Sequence, residues 1–480
     1  QAAEARRRAI EAALQAAAPA GGGCSVVLAP ICTRADAENT RNLALFGPEL
    51  DAAFLLGGDQ AVAMQVLAGT PVEAALYALH CRGGVIAGTS AGAGMQSRTM
   101  LAGYADNLDA PHPLEHGSVS LWDHPQARGL AFGQPGVIID QHFFQRGRLG
   151  RLLEAIVRPS APHIGVGIDA YTGLHLHGRS RVEDIFGRYA VAVLDAESLG
   201  AAASVRYCGE RRAVSVRNVL LHLLAPGPFA YDLQARRHSL APCPVQEPPR
   251  RGKLTTPLDA GLLLLSGSAN RPLASRALQR RFLHSAPGPL LVAALDAEHE
   301  RVIAQCAKEL AQQTVHPVEI VHGYDALAAR LRRAACAGIV AAGGDGKEAE
   351  PQQLEPLAAA WRAGTALWLA DAAAGLAGRW RCGRLKPVYA HDPQQMAHLR
   401  APLYGATPLR RGLGLLPVSL EPRVLEECRW ARLLALAYER AGQPALALGA
   451  ATTLAVAPLG AEVLGEGTLF ALDLRSAKRA

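Results

Sequence analysis

The sequence lacks the marks of membrane and secreted proteins. Half of its residues are hydrophobic, yet no apolar run approaches the ~20 residues that a membrane helix needs. Residues 1–17 are rich in Ala and Arg and have apolar residues at helical spacing, but they lack the apolar core of a secretory signal. We therefore expect a soluble globular protein that does not contact a membrane and that resides in the cytoplasm.

Paired cysteines and dense basic runs are also missing. The nine cysteines are scattered, with no C-x-x-C pair and no histidine partners at metal-binding spacing. We expect them to be reduced thiols, and we expect no metal and no cofactor. The net charge is +7 with 49 Lys and Arg residues, but no basic run is interleaved with aromatic residues, which argues against nucleic acid as a partner. The arginines instead indicate a site for carboxylates.

The order of apolar runs predicts an α/β fold. At 480 residues the chain is long enough for roughly two to four domains. Runs that we interpret as strands alternate with runs that we interpret as helices, and this order implies a parallel sheet. Two later segments, 188–194 and 214–224, alternate like antiparallel strands. The other predicted strands are 25–29, 52–56, 85–87, 137–139 and 165–169, and the predicted helices are 35–45 and 71–80.

A serine stands just after the predicted strand 85–87. Residues 88–92 read Gly-Thr-Ser-Ala-Gly and match the G-x-S-x-G pattern of a nucleophile elbow, in which a strand turns abruptly into a helix. Small neighbours let the chain pass close to the strained corner residue, and free amides at the helix N-terminus can hold an oxyanion. Ser90 is therefore the candidate nucleophile, although such a match also occurs by chance in a chain with 48 glycines.

His142 is the candidate general base. It follows the predicted strand 137–139 and precedes a polar loop, which is where a site residue is expected in such a sheet. A neutral imidazole is the side chain best suited to take a serine proton near pH 7. The alternative is a histidine that packs beside Phe143 and apolar neighbours without a chemical role.

The strand and helix pattern starts again near Gly261, which indicates an internal repeat. The same residues recur at a spacing of 281 positions (429 − 148): Arg148 and Arg151 with Leu152 and Leu153 fall on Arg429 and Arg432 with Leu433 and Leu434, and Thr172 falls on Thr453. We predict two doubly wound α/β units in tandem, each with a mostly parallel sheet flanked by helices. The first unit is predicted at residues 1–240, a Pro- and Arg-rich linker at 241–258, and the second unit at 259–480.

The second unit is predicted to keep the scaffold and to lose the chemistry. In the 281-residue register, Asp371 stands at the position of Ser90 and Arg423 at that of His142. Related sheets commonly pack as symmetric dimers, so we expect a pseudo-dimer within the chain, and a homo-oligomer is a further expectation. Comparison of the halves also suggests that about twenty residues near Pro30, and a strand before residue 1, are absent from the sequence.

The repeat also separates functional from structural candidates. Arg148 and Arg151 are present in both halves, which favours structural ion pairs, with a substrate contact as the alternative. Arg146 has no such explanation and is the better candidate for a substrate clamp. Asp59 resembles Asp345 in a Gly-Gly-Asp turn and is interpreted as a turn residue. Gln60 is replaced by Gly346 in the second half, which favours a functional side chain.

Four motif-like segments occur in order along the chain. They are Leu-Leu-Gly-Gly-Asp-Gln at 55–60, Ile-Ala-Gly-Thr-Ser-Ala-Gly-Ala at 86–93, Asp-Gln-His-Phe at 140–143 with the arginines after it, and Gly-Val-Gly-Ile-Asp at 165–169. Together they resemble the cyanophycinase-like branch of the S51 serine peptidases, which includes the aspartyl dipeptidases. The resemblance covers residues 30–195, and a weaker version covers 261–475. It implies a class I glutamine-amidotransferase-like fold and hydrolysis beside aspartyl residues.

The same resemblance implies roles for individual residues. Ser90 would be the nucleophile and His142 the base, with amides near Gly58 and Ala91 as the oxyanion hole. Cyanophycinases cut a storage polymer that has a poly-aspartate backbone and an arginine on each β-carboxyl, and they release β-Asp-Arg dipeptides. We therefore expect cyanophycin or a β-aspartyl peptide as the partner. The residues expected to contact it are Gln60, Asp140, Gln141, Arg146 and Arg148.

One position departs from the family pattern. The family sequence is Gly-Ile-Asp-Glu where residues 167–170 of this chain read Gly-Ile-Asp-Ala. In the family, the glutamate at the position of Ala170 completes a Ser-His-Glu triad. Asp169 is adjacent, but neighbouring residues of a strand point to opposite faces, so it would substitute only through a bulge. Three alternatives stay open: another carboxylate orients His142, or serine and histidine act as a slow dyad, or the protein binds without cutting.

Overall fold

The structure, a computed structural model, describes residues 2–18, 23–105, 114, 117–178, 180–196, 205–208, 213–239, 253–344, 349–383, 407–475 and 477. The chain forms two compact units. The first unit comprises Gln1–Phe143 and Arg148–Glu247, and the second unit comprises Phe144–Gly147 and Pro248–Ala480. Each unit combines helices with β-sheets.

Most helices and strands of the first unit are short, apart from the sixteen-residue helix Ala2–Ala17. Its helices are Ala2–Ala17, Arg34–Glu38, Thr40–Leu43, Gln60–Leu67, Pro71–Cys81, Ala91–Gly94 and Leu149–Ile156, with a 3-10 turn at Ala44–Phe46. Its strands are β1 (Ala52–Leu55), β2 (Val85–Gly88), β3 (Met100–Tyr104), β4 (Val119–Trp122), β5 (Ile138–Gln141), β6 (Ile164–Ile168), β7 (Thr172–His177), β8 (Arg181–Gly187), β9 (Val191–Asp195), β10 (Val205–Cys208), β11 (Ala213–Val216), β12 (Leu220–Leu224), β13 (Tyr231–Asp232) and β14 (Arg237–His238).

Two sheets of the first unit carry the segments that matter for function. Strands β1 and β2 pair in parallel. A second sheet has the order β12-β9-β6-β5, in which β5 and β6 are parallel and are connected through the helix Leu149–Ile156. Gly165 in β6 lies against Leu152 of that helix, and a β-carbon there would collide with it. The helix therefore packs closely on the strand that follows it.

Local sequence signals explain where the helices near β1 begin. The Asp59 carboxylate accepts hydrogen bonds from the amides of Ala61 and Val62, at 2.8 and 3.2 Å, and caps the helix Gln60–Leu67. This confirms Asp59 as a turn residue. Thr70 caps Pro71–Cys81, whose first residue is the proline that such a position favours.

The strand predicted at 25–29 is wrong. Residues 23–32 form no strand, and the side chain of Val27 is 69 % exposed. The backbone of Val26 is satisfied by side chains of the first helix, because its amide donates to Glu11 at 3.2 Å and its carbonyl accepts from Arg7 at 3.1 Å. These bonds replace the partners that a neighbouring strand would supply.

In the described part of the second unit, five helices have ten residues or more. Its helices are Asn270–Leu273, Arg276–Ser285, Glu300–Ala311, Gly323–Arg333, Pro351–Arg362, Ala372–Gly375 and Trp430–Glu439, with 3-10 turns at Phe144–Arg146 and Ala297–His299. Its strands are β15 (Leu263–Ser266), β16 (Leu290–Ala294), β17 (Val318–His322), β18 (Gly338–Ala342), β19 (Ala366–Ala370), β20 (Trp380–Cys382), β21 (Leu409–Arg411), β22 (Ser419–Pro422), β23 (Ala445–Leu448), β24 (Thr452–Ala457), β25 (Gly460–Gly465) and β26 (Leu469–Leu472).

The main sheet of the second unit has seven strands in the order β17-β16-β18-β19-β15-β24-β25. The first five are parallel, and β24 and β25 are antiparallel to their neighbours. Every residue of β15, β16, β18 and β19 is buried, as expected for a parallel sheet covered on both faces. A second sheet has the order β21-β20-β22-β23-β26.

Elements of the two units recur at the spacing of 281 positions. The helix Ala372–Gly375 begins 281 positions after Ala91–Gly94 (372 − 91) and has the same length. Strand β22 likewise begins 281 positions after β5 (419 − 138) and has the same length. The segments that carry Ser90 and His142 in the first unit therefore have counterparts of the same type in the second.

The mostly parallel sheet predicted for the first unit is not found among its described residues. There the strands form separate sheets of two to four strands. In the second unit β15 lies between β19 and β24, whereas no described strand of the first unit joins β2 to β7. Because β1 and β2 pair only with each other in the described part, Phe54 and Val85 are 46 % and 60 % exposed.

Some predictions fall outside the described residues. The structure does not describe residues 240–252 and 345–348. The linker predicted at 241–258, the boundary between the predicted units, and the comparisons of Asp59 with Asp345 and of Gln60 with Gly346 therefore stay predictions.

No single helix in the described ranges is long and apolar enough to cross a membrane. Helices Gln60–Leu67 and Pro71–Cys81 reach the required length and apolarity only as a pair, and they are bent by 95° where they meet.

Candidate active site

The chain turns abruptly at Ser90, between strand β2 and the helix Ala91–Gly94. Ser90 has φ 55° and ψ −121°, a conformation that side-chain-bearing residues adopt rarely and at a cost of about 1–3 kcal/mol. Such strain is maintained where surrounding structure imposes it and is concentrated at functional sites. The serine therefore has the backbone geometry of a nucleophile elbow.

Close packing explains the glycines around this turn. A β-carbon on Gly88 would collide with the backbone of Gly92, and one on Gly92 would collide with the carbonyl of Leu55 in β1. A β-carbon on Gly57 would lie 2.7 Å from the β-carbon of Ser90. Glycine is thus required at three positions where backbone passes close to the serine.

His142 lies beside this serine. It follows β5, has φ 45°, and places its Nε2 2.9 Å from the Oγ of Ser90. The next residue, Phe143, is fully buried and donates its amide to the carbonyl of Ile168 at 3.1 Å. Nucleophilic catalysis requires a base within hydrogen-bond reach of the serine hydroxyl, so this geometry favours the predicted role of His142 over that of a histidine that only packs beside Phe143.

Two backbone amides are available near the serine. Within the described residues, neither the Gly58 amide nor the Ala91 amide donates a hydrogen bond to the protein. Gly58 has φ 153° and follows Gly57, which contacts the serine side chain. Free amides next to a nucleophile can stabilise an oxyanion, so the predicted role of Gly58 and Ala91 fits their hydrogen-bonding state.

Asp140 is the centre of a buried ion-pair network. Its side chain is fully buried, and Arg151 binds both carboxylate oxygens, with its Nε 2.8 Å from Oδ2. Arg148 lies 3.4 Å from the same carboxylate and donates to the carbonyl of Gln141 at 2.6 Å. Burial alone would raise the pKa of Asp140, but the charges and hydrogen bonds of Arg151 and Arg148 lower it below its ordinary value.

The second unit repeats this network 281 positions later. Glu421 is fully buried and pairs with Arg429 at 3.1 Å and with Arg432 at 2.7 Å. Because a network present in both units does not depend on the serine site, Asp140 and Arg148 hold the end of β5 in place. Both side chains are buried, and the expectation that they contact a substrate stays a prediction.

The two glutamines of the predicted site differ in their surroundings. Gln141 is buried, and within the described residues its Oε1 has no hydrogen-bond partner. A buried acceptor without a partner is costly in a folded protein, which makes Gln141 a candidate for binding a donor of a substrate. Gln60 begins a helix and donates its side-chain amide to the carbonyl of Leu101 at 2.7 Å, so its nitrogen already stabilises the neighbouring strand β3.

Arg146 is the exposed arginine of this segment. It ends the 3-10 turn Phe144–Arg146, which groups with the second unit, and its side chain is accessible to solvent. It forms no ion pair in the part of the chain that the structure describes. A cationic side chain with this exposure remains available for a carboxylate ligand.

The position at which the resemblance implies a glutamate lies just after β6. Ala170 supplies no acid there, and the neighbouring Asp169 is buried. The Asp169 carboxylate accepts from the amide of Ala190 at 3.3 Å, and its own amide donates to the carbonyl of the same residue. The carboxylate of Asp169 is thus engaged with the residue that precedes β9.

The second unit has a different set of side chains at the matching turn. Asp371 has φ 61° and Arg423 has φ 57°, values like those of the serine and histidine that they replace. Arg423 pairs with Asp371 at 2.8 Å. His299 joins them, with its Nε2 3.1 Å from Asp371 and its Nδ1 2.6 Å from Asp296. The hydrogen bond to Asp371 and, against the effect of burial, the bond to Asp296 raise the pKa of His299 to about 9.

His299 was not found from the sequence, because the comparison of the two halves offers no counterpart for it. A possible signal was its spacing from Asp296, since the two residues lie three positions apart directly after β16. The turn at Asp371 therefore carries a charge network instead of a serine and a base.

Comparison with known proteins gives relatives for part of the chain. The chain is 34 % identical over 176 residues to the cyanophycinase of Trichormus variabilis, and the aligned region covers 36 % of this chain and 54 % of that protein. It is 31 % identical over 209 residues to the cyanophycinase of Synechococcus elongatus, covering 42 % of this chain and 59 % of that protein. No protein-family profile matches the chain.

Two solved structures are also similar. A peptidase from an acI-B1 Actinobacterium is 14 % identical, with a TM-score of 0.32, and the match covers 46 % of this chain and 93 % of that one. A peptidase E protein from Listeria monocytogenes is 12 % identical, with a TM-score of 0.26, covering 43 % of this chain and 98 % of that one. By sequence the chain resembles the cyanophycinases, and it spans between half and two thirds of the length of these two proteins.

Proposed function

We propose that the chain is a serine-type hydrolase that cleaves cyanophycin or β-aspartyl peptides. The observation that carries this proposal is the 2.9 Å contact between Ser90 Oγ and His142 Nε2 at a strained strand-to-helix turn. Structural serines have no need of a left-handed backbone conformation or of an imidazole aimed at their hydroxyl. The resemblance to cyanophycinases supplies the substrate class.

The geometry supports acyl transfer in two steps. His142 Nε2 takes the proton of Ser90 as Oγ attacks the scissile carbonyl carbon, and the same proton then passes to the departing amine. The amides of Gly58 and Ala91 hold the negative charge that develops on the carbonyl oxygen. Water, deprotonated by His142, then releases the acid product and restores the serine.

The imidazole needs a fixed orientation for this chemistry. For Nε2 to accept the serine proton, Nδ1 must carry the hydrogen and donate it to an acceptor. We propose that an acceptor other than a side chain at position 170 fills this role, because Ala170 stands where the resemblance implies a glutamate. Loss of an orienting carboxylate lowers turnover by roughly 10⁴-fold in serine proteases, so we expect a slow enzyme.

Arg146 and Gln141 are proposed as substrate contacts. A poly-aspartate backbone ends in a carboxylate, which an exposed arginine binds through charge-assisted hydrogen bonds. The buried Oε1 of Gln141 can accept from a donor of the substrate, such as an amide or a guanidinium N–H. Gln60 contributes less directly, because its side-chain nitrogen is bound to Leu101.

We further propose that the second unit is a diverged copy of the first without hydrolytic activity. Its matching turn places Asp371 in an ion pair with Arg423 and His299, so its carboxylate is neutralised. The recurring strands, helices and buried ion-pair network at 281-residue spacing support a common origin. The expected pseudo-dimer of the two units remains part of this proposal.

A second candidate function is binding of the polymer without cleavage. It is favoured by Ala170, because a protein that lacks the acid beside its histidine can keep its fold and its substrate binding while its turnover falls. In that case the protein would act as a scaffold or regulator for cyanophycin. The two functions give opposite results in a turnover assay.

The assay incubates the purified full chain with cyanophycin and with β-Asp-Arg and follows products by mass spectrometry. Hydrolysis by the parent that is lost in Ser90→Ala and in His142→Ala supports the enzyme. Asp371→Asn, at the matching turn of the second unit, is the control and should retain parental turnover. Equal background rates of hydrolysis in the parent and in both first-unit variants, with binding of the polymer retained, would instead support binding without cleavage.

A further inference from the structure

A cluster of metal-ligand side chains lies on the hairpin formed by β7 and β8. The side chains are His175 and His177 of β7 and Glu183 of β8, and one ligand atom from each lies within 4.8 Å of the other two. They lie in the first unit and are separate from the residues assigned to catalysis.

Strand geometry explains why the three side chains converge. Residues two positions apart in a strand point to the same face, so His175 and His177 stand side by side, with ring centres 5.4 Å apart. In the antiparallel register His175 pairs directly with Glu183. Two ligands from one strand and one from its neighbour thus face the same volume.

The surrounding charges favour a cation. Asp184 has φ 48° and places its Oδ2 3.5 Å from the Nδ1 of His175, which adds a second carboxylate to the cluster. Arg181 opposes it, since its Nη2 lies 3.2 Å from Glu183. Arg181 is more than half exposed, so it can turn into solvent at small cost when a cation binds Glu183.

We propose that this hairpin binds a zinc-like divalent transition metal through His175, His177 and Glu183. Imidazole nitrogens select Zn²⁺, Ni²⁺ or Cu²⁺ over Mg²⁺ and Ca²⁺, which prefer oxygen ligands. Three protein ligands leave at least one coordination position for water or another ligand. A bound ion would connect the two strands of the hairpin.

The required adjustment is small. Tetrahedral zinc with bonds of about 2.1 Å holds its ligand atoms about 3.4 Å apart. The present separations of up to 4.8 Å therefore have to close by roughly 1.4 Å, which side-chain rotations of exposed histidines provide without moving the strands. Because both imidazoles are exposed, we expect modest, micromolar affinity.

The test is calorimetric titration of Zn²⁺ into the chelator-treated full chain, with Mg²⁺ and Ca²⁺ in parallel. We expect a zinc site that is weakened at least 10-fold in His175→Ala and in His177→Ala, and also weakened in Glu183→Gln. The matched control is His284→Ala, which removes an exposed histidine of the second unit and should leave the titration unchanged. Circular dichroism of each variant establishes that it is folded.

Two results would overturn the proposal. The first is no zinc binding at 100 μM, a concentration well above the expected dissociation constant. The second is zinc binding that is the same in His175→Ala, His177→Ala and the parent, which would place the metal elsewhere. Should either alanine variant fail to fold, the asparagine variants at the same positions preserve polarity and size and give the same discrimination.

Discussion

Removal of Arg151 tests the structural interpretation of the buried network most sharply. Arg151 is almost fully buried and binds both oxygens of the fully buried Asp140 carboxylate. Replacing it with methionine keeps the aliphatic volume but leaves the carboxylate with the bond from the Gln141 amide at 2.8 Å and, as its one remaining cationic contact among the described residues, Arg148 at 3.4 Å. Removal of one partner of a buried ion pair costs about 3–5 kcal/mol, which corresponds to a loss of folding equilibrium of roughly 150-fold or more.

Hydrogen exchange measured by mass spectrometry provides the local readout for Arg151→Met. Protection of the helix Leu149–Ile156 and of β5 should fall by about 100-fold or more, because these amides exchange through opening of the first unit. Arg82→Met removes only bonds from an exposed arginine to two backbone carbonyls and should change protection by less than threefold. If Arg151→Met lowered the free energy of unfolding by less than about 1 kcal/mol, Asp140 and Arg151 would not form a structurally important buried ion pair.

The same network makes a prediction about acid. The pKa of Asp140 is lowered in the folded chain, so its contribution to stability is present above the unfolded pKa of about 3.9 and is lost as pH falls through the folded pKa. Asp140→Asn should therefore be less stable than the parent at pH 7, with a smaller difference in stability between pH 5 and pH 2. Equal acid dependence in both proteins would contradict the assignment.

Three further predictions concern other residues. The pKa of His299 is raised to about 9, so its stabilisation is complete below about pH 6.5 and is lost as pH rises through 9; urea midpoints of the second unit should fall between pH 7 and pH 10 in the parent and change less in His299→Gln. Gly92→Ala should abolish turnover because its β-carbon collides with the backbone of β1, whereas Gly94→Ala, which has open space, should remain active; equal activities would contradict the packing argument. Arg146→Ala should weaken binding of β-aspartyl ligands by about 1–3 kcal/mol, as measured by calorimetry beside Arg82→Ala, and unchanged affinity would reject the substrate contact.

The elbow could be predicted from the sequence because its requirements are local. A serine between two glycines after an apolar run specifies a sharp turn, and the structure gives Ser90 the expected backbone conformation. The pairing with His142 is not local, since the residues lie 52 positions apart. It was predictable because both follow strands, and in this type of sheet the carboxyl ends of strands are where sites form.

The burial of Asp140 could not be predicted from its neighbours in the sequence. An aspartate after an apolar strand has the same local pattern whether it faces solvent or an arginine, and tertiary packing decides between them. The recurrence of Arg148 and Arg151 in both halves was the informative signal, because it favoured a structural pair. The matching acid of the second unit, Glu421, is a glutamate and not an aspartate, so the two acids do not align as identical residues.

The hairpin of β7 and β8 shows a different limit. A search for cysteine pairs with histidine partners finds nothing near His175 and His177, because these residues are separated by one position in a strand. The third side chain of the cluster, Glu183, lies beside them only because of the register between β7 and β8. The division of the first unit into separate sheets could not be predicted either, because the alternation of strands and helices does not specify which strands pair.

Covalent labelling of Ser90 tests directly whether His142 activates this serine as a nucleophile. A fluorophosphonate forms an Oγ–P bond with an activated serine and releases fluoride, and peptide mass spectrometry locates the adduct. We predict one adduct per chain, on Ser90, with labelling at least about 100-fold slower in His142→Ala, the contribution typical of a general base. Labelling of Ser90 at the same rate in the parent and in His142→Ala, or no adduct on Ser90, would contradict the claim.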